Sequence, residues 1–386
     1  MKDIKKILIV TYHYLDSVGG GVYASRAYIN ALANIYPEKG QVTLLYPASD
    51  IHPLQGIDPR VKVIPVYYNV SKIRKLYNLL RGKYLRFNKT FKKLIEEDKF
   101  ELVIFDNSHC SLGLIDIAHK TGAKVITIHH NCELEYVRDN SSRLLYYPSM
   151  RITRKGEGDA VRLSDLNLAL TPEDVDLLKY HYLVDGKESK FNVLGSFEST
   201  SNDSHNITEQ KTDNQIKDFV ITGNLSNKQS IDSLLPWLKE YYPILLKNFP
   251  ESTLTIAGKN PSQEIINACR SLGIKLIPNP ENMDIILSQA DCYICPTSLG
   301  GGIKLRIMDG LRNGLPVITH AVSARGYGEF IDRKIMFKYS DPKSFINCCE
   351  SLKHGHSSKA SIQEEYRKIF SFQSGIKRMS EAISKI

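Results

Sequence analysis

The chain has 386 residues, of which 24% are charged and 42% hydrophobic. At roughly 100–200 residues per domain, this length predicts about two domains with cores large enough to need no disulfides. Seven cysteines, an odd number, argue against a disulfide scaffold and favour reduced thiols. The net charge of +9 favours an anionic partner such as phosphate, nucleic acid or a lipid headgroup.

The chain contains no apolar run close to the roughly 20 residues that a membrane-spanning helix needs. Its first apolar run, residues 7–10, is also too short for the core of a signal peptide. We therefore expect a cytoplasmic protein, either free or held peripherally at the inner face of the cell membrane.

Short runs rich in valine and isoleucine recur along the chain and alternate with helix-like patterns such as residues 24–35. This alternation predicts parallel sheets with helices on both faces. It occurs twice, on either side of a polar stretch. The predicted strands are residues 7–10, 42–46, 61–65, 102–105, 125–128, 166–170, 219–222, 254–257, 274–277, 292–295 and 317–319.

The polar stretch, residues 196–216, is rich in serine, asparagine and charge, which is typical of a linker or an exposed loop. We therefore predict one Rossmann-like domain at residues 1–195 and a second at residues 217–361. Residues 362–386 are predicted to form a C-terminal helix, which is a candidate to pack back on the first domain.

Three glycines, at 19–21, follow the first predicted strand, and residues 19–24 match the G-x-G-x-x-A pattern of dinucleotide-binding turns. In that pattern the first glycine directly follows the strand, whereas here residues 12–18 intervene. The glycines are therefore predicted to lie in a longer loop before a helix. This spacing argues against an NAD-dependent dehydrogenase.

Residues 71–93 hold nine lysines or arginines and no acid, interleaved with leucine, tyrosine and phenylalanine. Such a basic amphipathic segment favours an anionic membrane surface, at about 1 kcal/mol per basic residue near it. A solvated helix face is the alternative. No recognition motif for nucleic acid accompanies the charge, so nucleic acid is not expected as a partner.

Two adjacent histidines, His129 and His130, follow the predicted strand at 125–128. A lone histidine is usually structural, but a pair at the carboxyl end of a strand, followed by asparagine and glutamate, is harder to explain in that way. We treat both as candidate functional residues. His13 and His109 also follow predicted strands and are further candidates.

Two short motifs resemble metal sites but are better explained by structural roles. Asp174 and Asp176 form Asp-x-Asp, but they follow Thr171 at a predicted helix start, where acidic residues compensate the helix dipole. Cys292 and Cys295 form C-x-x-C inside a strand-like run, which favours buried structural cysteines. We therefore expect no metal at either motif.

The segment at residues 296–320 has the pattern of an anion site. Its three glycines, Gly300, Gly301 and Gly302, follow a predicted strand and precede a helix predicted to start near Ile303 and to end at Gly314. Glycines allow backbone N–H groups to approach an anion, and a helix N-terminus adds free N–H groups and a positive dipole end.

Charged residues follow this glycine turn. Lys304 and Arg306 add full positive charges, while Asp309 lies further along the predicted helix. A carboxylate at that point can accept two hydrogen bonds from a ribose diol. The alternative is that the charges are solvated, with Arg306 and Asp309 forming a surface ion pair.

Residues 309–318, Asp-Gly-Leu-Arg-Asn-Gly-Leu-Pro-Val-Ile, resemble the second half of the donor-site signature of retaining, family 4 type glycosyltransferases (glycosyl transferases group 1). That signature has two glutamates separated by seven residues, and Gly301 and Asp309 occupy their positions here. A branch with a Gly-Gly-Gly donor loop is closer. Residues 219–230 and 254–261 are similar to the first two strand–loop units of the family's donor domain.

The resemblance implies the GT-B fold, in which two Rossmann-like doubly wound domains of parallel sheet face a cleft. It implies that the second domain binds the donor, a UDP- or GDP-sugar, and that His129 or His130 is the catalytic-site histidine that hydrogen-bonds the donor sugar. The donor-binding residues expected from the resemblance and from the glycine turn are Gly20, Gly21, Gly223, Asn224, Lys228, Gly300, Gly301, Gly302, Ile303, Lys304 and Asp309.

These features predict a glycosyltransferase that moves a sugar from a nucleoside diphosphate sugar to a glycan or lipid-linked acceptor in surface polysaccharide synthesis. Retention of anomeric configuration follows from the resemblance. Neither a metal nor a cofactor is expected, because protein charge at residues 300–304 can stabilise the leaving diphosphate. Two alternatives stay open: a non-catalytic partner subunit, favoured by glycine at position 301, and a sugar-nucleotide epimerase on the same fold.

Overall fold

The computed structural model describes residues 4–17, 19–49, 54–141, 143–183, 190–200 and 216–386. The chain divides into two compact units. The first unit comprises residues 1–201 together with 371–386, and the second comprises residues 202–370. Most of the predicted linker, residues 201–215, lies outside the described residues.

The first unit contains a seven-stranded sheet in which every pair of neighbouring strands is parallel. Its strands are β1 (Ile7–Thr11), β2 (Val42–Pro47), β3 (Lys62–Val66), β4 (Leu102–Asp106), β5 (Lys124–His129), β6 (Leu166–Ala169) and β7 (Phe191–Val193). They lie in the order β3-β2-β1-β4-β5-β6-β7. Strands β1, β2 and β4 are buried along their whole length, as continuous apolar runs in a parallel sheet should be.

Helices alternate with these strands, as the sequence predicts. Those before the break in the chain are α1 (Gly20–Ile35), α2 (Lys72–Leu80), α3 (Asn88–Glu97), α4 (Ser108–Ser111), α5 (Ile115–Lys120), α6 (Glu133–Asn140), α7 (Tyr146–Leu163) and α8 (Pro172–Tyr182). The basic segment at 71–93 therefore spans α2 and the first half of α3, with Gly82 in a left-handed turn at φ 63° between them.

The second unit contains a six-stranded parallel sheet in the order β10-β9-β8-β11-β12-β13. Its strands are β8 (Asp218–Asn224), β9 (Thr253–Lys259), β10 (Lys275–Pro278), β11 (Cys292–Cys295), β12 (Val317–His320) and β13 (Met336–Tyr339). Its helices are α9 (Lys228–Glu240), α10 (Tyr242–Asn248), α11 (Gln263–Leu272), α12 (Met283–Ser288), α13 (Arg306–Arg312), α14 (Gly328–Asp332), α15 (Pro342–His354) and α16 (Lys359–Phe370).

The predicted pair of Rossmann-like, doubly wound sheets is confirmed. In each sheet the strand order reverses direction once, between β1 and β4 in the first unit and between β8 and β11 in the second. Helices leave the two neighbouring strands toward opposite faces at such a point, which opens a crevice at the carboxyl ends of the strands. Ligand-binding residues are therefore expected at the carboxyl ends of these four strands.

The C-terminal stretch at 362–386, predicted as one helix, forms parts of two helices. The first is α16, in the second unit, and the other is α17 (Phe372–Ile383), in the first unit. Ser371 separates them and caps α17, because its hydroxyl accepts from Ser374 N at 3.2 Å. Helix α17 packs against α1, so the end of the chain completes the first unit.

Asp174 and the two cysteines, from the motifs that resemble metal sites, have structural roles in this fold. The Thr171 hydroxyl donates to Asp174 Oδ2 at 2.7 Å and accepts from Asp174 N, which caps α8. Cys292 and Cys295 are buried in β11 and belong to apolar clusters on opposite faces of the sheet. Among the described residues, no helix combines the length and the apolar character that crossing a bilayer requires.

Candidate functional site

Arg306 lies over the strand-order reversal of the second unit. Gly223, near the carboxyl end of β8, has φ 155°, and a Cβ at that position would lie 2.7 Å from Arg306 Nη1. Arg306 Nη1 also donates to Thr297 Oγ1, at 3.4 Å, just beyond the end of β11. The guanidinium group therefore stands where the ends of β8 and β11 meet, and a side chain at position 223 would displace it and strain the backbone.

The glycine loop beside Arg306 is held in shape by side chains from its surroundings. Gly300 has φ 79°, and a Cβ there would overlap the amide of Gln229. That amide donates to Leu299 O in the loop. Lys304 is almost fully buried, and its Nζ donates to Gly301 O at 2.8 Å. The Lys304 ammonium therefore stabilises the loop conformation in addition to adding positive charge.

The helix after the loop begins at Arg306 rather than near Ile303, as was predicted. The Lys304 carbonyl is engaged by the Tyr327 hydroxyl at 3.0 Å, and residues 303–304 are not helical. Arg306 is the first helical residue, and its guanidinium reaches Thr297 and the backbone at Gly223. The helix ends where predicted, with Gly314 at φ 73° just beyond it.

The remaining candidates of the second unit have other partners. Lys228 is highly exposed and forms an ion pair with Asp232 along α9. Asn224 Oδ1 accepts from Ser226 N at 3.0 Å and closes a turn after β8. Ile303 packs on the apolar cluster beneath the loop.

Asp309 lies on α13, three residues beyond Arg306. Its carboxylate is partly exposed, and Arg312 Nη2 lies 3.4 Å from its Oδ1. The sequence had offered an Arg306–Asp309 ion pair as an alternative. In the structure, Asp309 pairs with Arg312. Arg312 also contacts Asp284 Oδ1 at 3.0 Å, so the cation is shared between two carboxylates.

In the first unit, Asp106 organises the strand-order reversal. It is the last residue of β4 and is completely buried. Thr11 Oγ1, at the end of β1, donates to Asp106 Oδ2 at 2.7 Å, and His130 Nε2, just after β5, donates to Asp106 Oδ1 at 2.6 Å. Three neighbouring strand ends are thus joined through one carboxylate.

Asp106 and His130 form a buried ion pair. Burial alone would lower the pKa of His130, but the charge and hydrogen bond of Asp106 outweigh burial and raise it. Burial alone would likewise raise the pKa of Asp106, but His130 lowers it. Each group therefore favours the charged form of the other.

His13 adds a neutral imidazole to this cluster. Its ring centroid lies 5.0 Å from that of His130, and burial together with the positive charge of His130 lowers the pKa of His13 to about 4. Its Nε2 is buried and has no hydrogen-bond partner among the residues described. A Cβ at Gly21, in the first turn of α1, would overlap the His13 ring, so glycine there permits the close approach. Gly20 is the first residue of the same helix.

His129 and His130 have different environments. His129 is 1% exposed, and its Nε2 contacts Asn167 Oδ1 at 2.9 Å in the interior of the sheet. Burial lowers the pKa of His129 to about 4. His130 instead joins the cluster at the strand ends, so the two candidates that sequence could not separate are separated by the fold.

A second polar group lies beside the first in the same unit. Asn107, which follows β4 at φ 101°, donates from Nδ2 to Glu133 Oε1 at 2.8 Å. His109 Nδ1 lies 4.0 Å from Glu133 Oε2, and the His109 ring lies 5.4 Å from the ring of Tyr12. Imidazole, carboxylate and amide groups of this kind suit the hydroxyl groups of a sugar.

Sequence reasoning missed Asp106, used Glu133 only as the end of the motif that begins with the histidine pair, and gave Arg306 only a supporting role. Asp106 had a local signal, because it directly follows an apolar run and ends a strand. Arg306 had none, since its position over Gly223 joins residues 83 positions apart. The second unit thus has a cation beside a glycine loop at its reversal point, and the first unit has a cluster of imidazole, carboxylate and amide groups near its own.

Comparison with known proteins adds to this geometry. Residues 216–354 match the family described as glycosyl transferases group 1. A relative that is 24% identical over 315 residues, covering 75% of each chain, is an uncharacterized 44.6 kDa protein in the cps region of Klebsiella pneumoniae.

Solved structures share the fold along nearly the whole chain. The apo form of the lipopolysaccharide outer core galactosyltransferase WaaB matches with a TM-score of 0.66 at 14% identity, covering 99% of this chain and 100% of that one. HepE from Anabaena in complex with UDP matches with a TM-score of 0.64 at 13% identity, again covering 99% and 100%. The predicted GT-B fold is confirmed.

Proposed function

We propose that this chain, whose residues 216–354 belong to the glycosyl transferases group 1 family, transfers a sugar from a UDP-sugar to an acceptor in a surface glycan. The observation that carries the proposal is the Arg306 guanidinium over Gly223, beside the glycine loop at 300–302. This arrangement provides a full positive charge and backbone amides where a parallel sheet binds ligands.

The second unit binds the nucleoside diphosphate. Arg306 and the amides of the glycine loop contact the phosphates, and Lys304 holds the loop in its binding conformation while adding charge. As the bond to the sugar breaks, negative charge grows on the leaving diphosphate, and these fixed donors stabilise it. Asp309 accepts hydrogen bonds from the ribose hydroxyls. Because the protein supplies this charge, the proposal requires no metal ion.

The first unit binds hydroxyl groups of the sugars. Neutral His13, with its unpartnered Nε2, and His130, held by Asp106, are the groups assigned to this role. The anomeric configuration is retained, as in the glycosyltransferases that the donor loop resembles. The choice of UDP is supported by the UDP complex of HepE, which shares the fold.

The acceptor is a glycan or a lipid-linked glycan. WaaB, which has the same fold, is a lipopolysaccharide outer core galactosyltransferase, and the Klebsiella relative lies in a cps region. An anionic membrane surface is proposed as a partner of the basic segment at 71–93, which would bring the enzyme to a lipid-linked acceptor.

Nucleotide binding tests the proposal directly. UDP, GDP, ADP and their sugars would be screened by thermal unfolding of the full chain. A bound nucleotide at one hundred times its Kd should stabilise the folded state by about 2.7 kcal/mol. UDP should raise the unfolding temperature most, and Asp309→Ala should weaken that effect. If no nucleotide shifts the parent chain, the proposal fails.

Two alternatives are distinguished by products. Gly301 in place of the first glutamate is the feature that favours a non-catalytic partner subunit, which would release no UDP from any UDP-sugar in the presence of acceptor extract. A sugar-nucleotide epimerase would change the sugar of the donor without an acceptor, detected by chromatography of the nucleotide sugars. Acceptor-dependent release of UDP supports the transferase.

A further inference from the structure

Helix α2 directs its apolar face away from the protein. The apolar residues Ile73, Leu76, Tyr77 and Leu80 recur at the spacing of one helix face, and all four are exposed, Ile73 by 81%. The partly buried residues of α2 are Asn78 and Leu79, on the other side of the helix. In a surface helix of a globular protein the apolar stripe normally faces the core, so this orientation requires another explanation.

A second exposed apolar segment begins α7. Leu144 is 92% exposed and Tyr147 is 81% exposed, and Leu145 between them is also exposed. Helix α2 packs against α7 within the first unit. The two segments, residues 72–83 and 143–155, therefore comprise parts of two packed helices and the residues next to their ends, and we call them together the basic aromatic surface.

The charge of this surface has one sign. Neither segment contains an aspartate or a glutamate. Its exposed basic residues form no ion pair with a carboxylate of the described part of the chain. They are Lys72, Arg74, Lys75, Arg81, Lys83, Arg143, Arg151, Arg154 and Lys155.

We propose that the basic aromatic surface docks the first unit on an anionic lipid bilayer, with the apolar stripe of α2 and the side chains of Leu144 and Tyr147 inserted at the headgroup level. The proposal deepens the membrane partner of the proposed function by naming the inserted helix and adding residues 143–155, which the sequence pattern had not indicated.

The combination of features favours a bilayer over other anionic partners. Nucleic acid would use the cations but has no apolar layer to receive Ile73, Leu76 and Leu80. A bilayer takes both, because basic side chains attract anionic headgroups while leucine and tyrosine enter the interface. Since α2 is short, it can lie in the interface but cannot cross it.

Vesicle flotation with the full chain tests the proposal. The parent should bind vesicles rich in phosphatidylglycerol and leave pure phosphatidylcholine vesicles, and raising the salt concentration should release it. Substituting Lys72, Arg74 and Lys75 together by glutamine should weaken binding by about a hundredfold. Substituting Ile73, Leu76 and Leu80 together by serine should weaken it by at least about tenfold, because apolar area no longer leaves water.

A second apolar variant examines the added segment, and a control examines specificity. Leu144→Ser with Tyr147→Ser should weaken vesicle binding by at least about tenfold. The control is Leu272→Ser with Ile285→Ser, which removes comparably exposed apolar side chains from the second unit and should leave binding unchanged.

The outcomes separate this proposal from its rivals and from the proposed function. Unchanged vesicle binding in the apolar variants, or tighter binding of a short DNA duplex than of anionic vesicles, would overturn it. The substitutions in the basic aromatic surface lie at exposed positions of the first unit, and those of the control lie at exposed positions of the second unit that are not assigned to UDP. UDP-induced stabilisation should therefore persist in all variants. Loss of vesicle binding in the variants with UDP binding intact would support both proposals. A parent chain that binds anionic vesicles but not UDP would support the docking surface alone, and one that binds UDP but not vesicles would support the donor site alone.

Discussion

The guanidinium of Arg306 occupies the space that a side chain at position 223 would fill, at the meeting point of β8 and β11. A charged group with one long hydrogen bond, to Thr297 at 3.4 Å, gains more from a phosphate than from its present neighbour. Lys228 has neither feature, because it is solvent-exposed and already paired with Asp232.

We therefore predict that Arg306→Gln weakens UDP binding by about ten- to a hundredfold, the cost of losing a charge-assisted hydrogen bond. Uridine, which has no phosphate, should bind the variant and the parent equally. Isothermal titration would measure both affinities. Lys228→Gln is the matched control and should change neither; equal losses in the two variants would contradict the assignment of Arg306.

Gly21 has a comparable role in the first unit, because its lack of a side chain lets α1 approach the His13 ring. Gly21→Ala should displace the imidazole and lower the rate of sugar transfer while costing little stability, since alanine favours helix. Kinetics of UDP release would measure the effect. Gly19→Ala should be nearly silent, because a Cβ there meets nothing within 4 Å; an equal loss in both variants would show that His13 is not responsible.

Helix α6 shows how one element depends on another. Its N-cap residue, Cys132, makes no side-chain capping bond. The buried carboxylate of Glu157, from the middle of α7, accepts instead from Glu133 N at 2.7 Å and Leu134 N at 3.1 Å. Tyr182 on α8 donates to the same carboxylate at 2.7 Å. Three helices are thus held together through one side chain.

The raised pKa of Glu157 predicts that the stability of the protein depends on pH. Burial and the nearby Glu133 raise the pKa of Glu157 to about 8 in the folded protein. The folded state therefore binds more protons than the unfolded chain, and the contribution of Glu157 to stability is fully present below its ordinary pKa and is lost as pH rises toward about 8.

The free energy of unfolding should accordingly fall in the parent relative to Glu157→Gln as pH rises from about 5 to 8, by at most about 1.4 kcal/mol per pH unit. Urea unfolding at several pH values would measure the difference. Glu251→Gln, at an exposed carboxylate of the second unit, should run parallel to the parent. A constant difference between the parent and Glu157→Gln would contradict the raised pKa.

At the scale of the whole molecule, the chain leaves the first unit, builds the second and returns to the first through α17. Arg378 on α17 donates to Leu194 O at 2.7 Å and lies 5.7 Å from the Phe197 ring centroid. Phe197 packs edge-on against Tyr28 of α1 at 5.4 Å. The last helix is therefore part of the core of the first unit.

Gly375 provides a test of this return. A Cβ at position 375 would overlap the Phe197 ring, which is fully buried and cannot move freely. Gly375→Ala should therefore destabilise the first unit by about 1–3 kcal/mol through overpacking. Hydrogen exchange should show faster opening in residues 4–200 and unchanged protection in the second unit. Gly328→Ala, where a Cβ meets nothing within 4 Å, is the neutral control.

Most of the sheet architecture could be predicted, because hydrophobic patterning is local and persists in the fold. All eleven predicted strands exist, within a few residues of their predicted ends. Strands β7 and β13 were missed, since runs of three and four residues carry too little pattern to recognise. The helix after the glycine loop was placed three residues early, because residues 304–308 form tight i to i+3 turns before the regular helix, a detail that apolar spacing does not reveal.

The sequence by itself determined two parallel α/β sheets, a glycine turn at a strand end and a resemblance to a family of transferases. Only the tertiary structure decided which charge stands at the turn, which of two adjacent histidines joins the Asp106 cluster at the strand ends, and which helix exposes its apolar face. The physical reason is the distance along the chain over which each effect acts. Propensity and periodicity act over a few residues. The approach of Arg306 to Gly223 and the hydrogen bond from His130 to Asp106 depend instead on packing between separate strands.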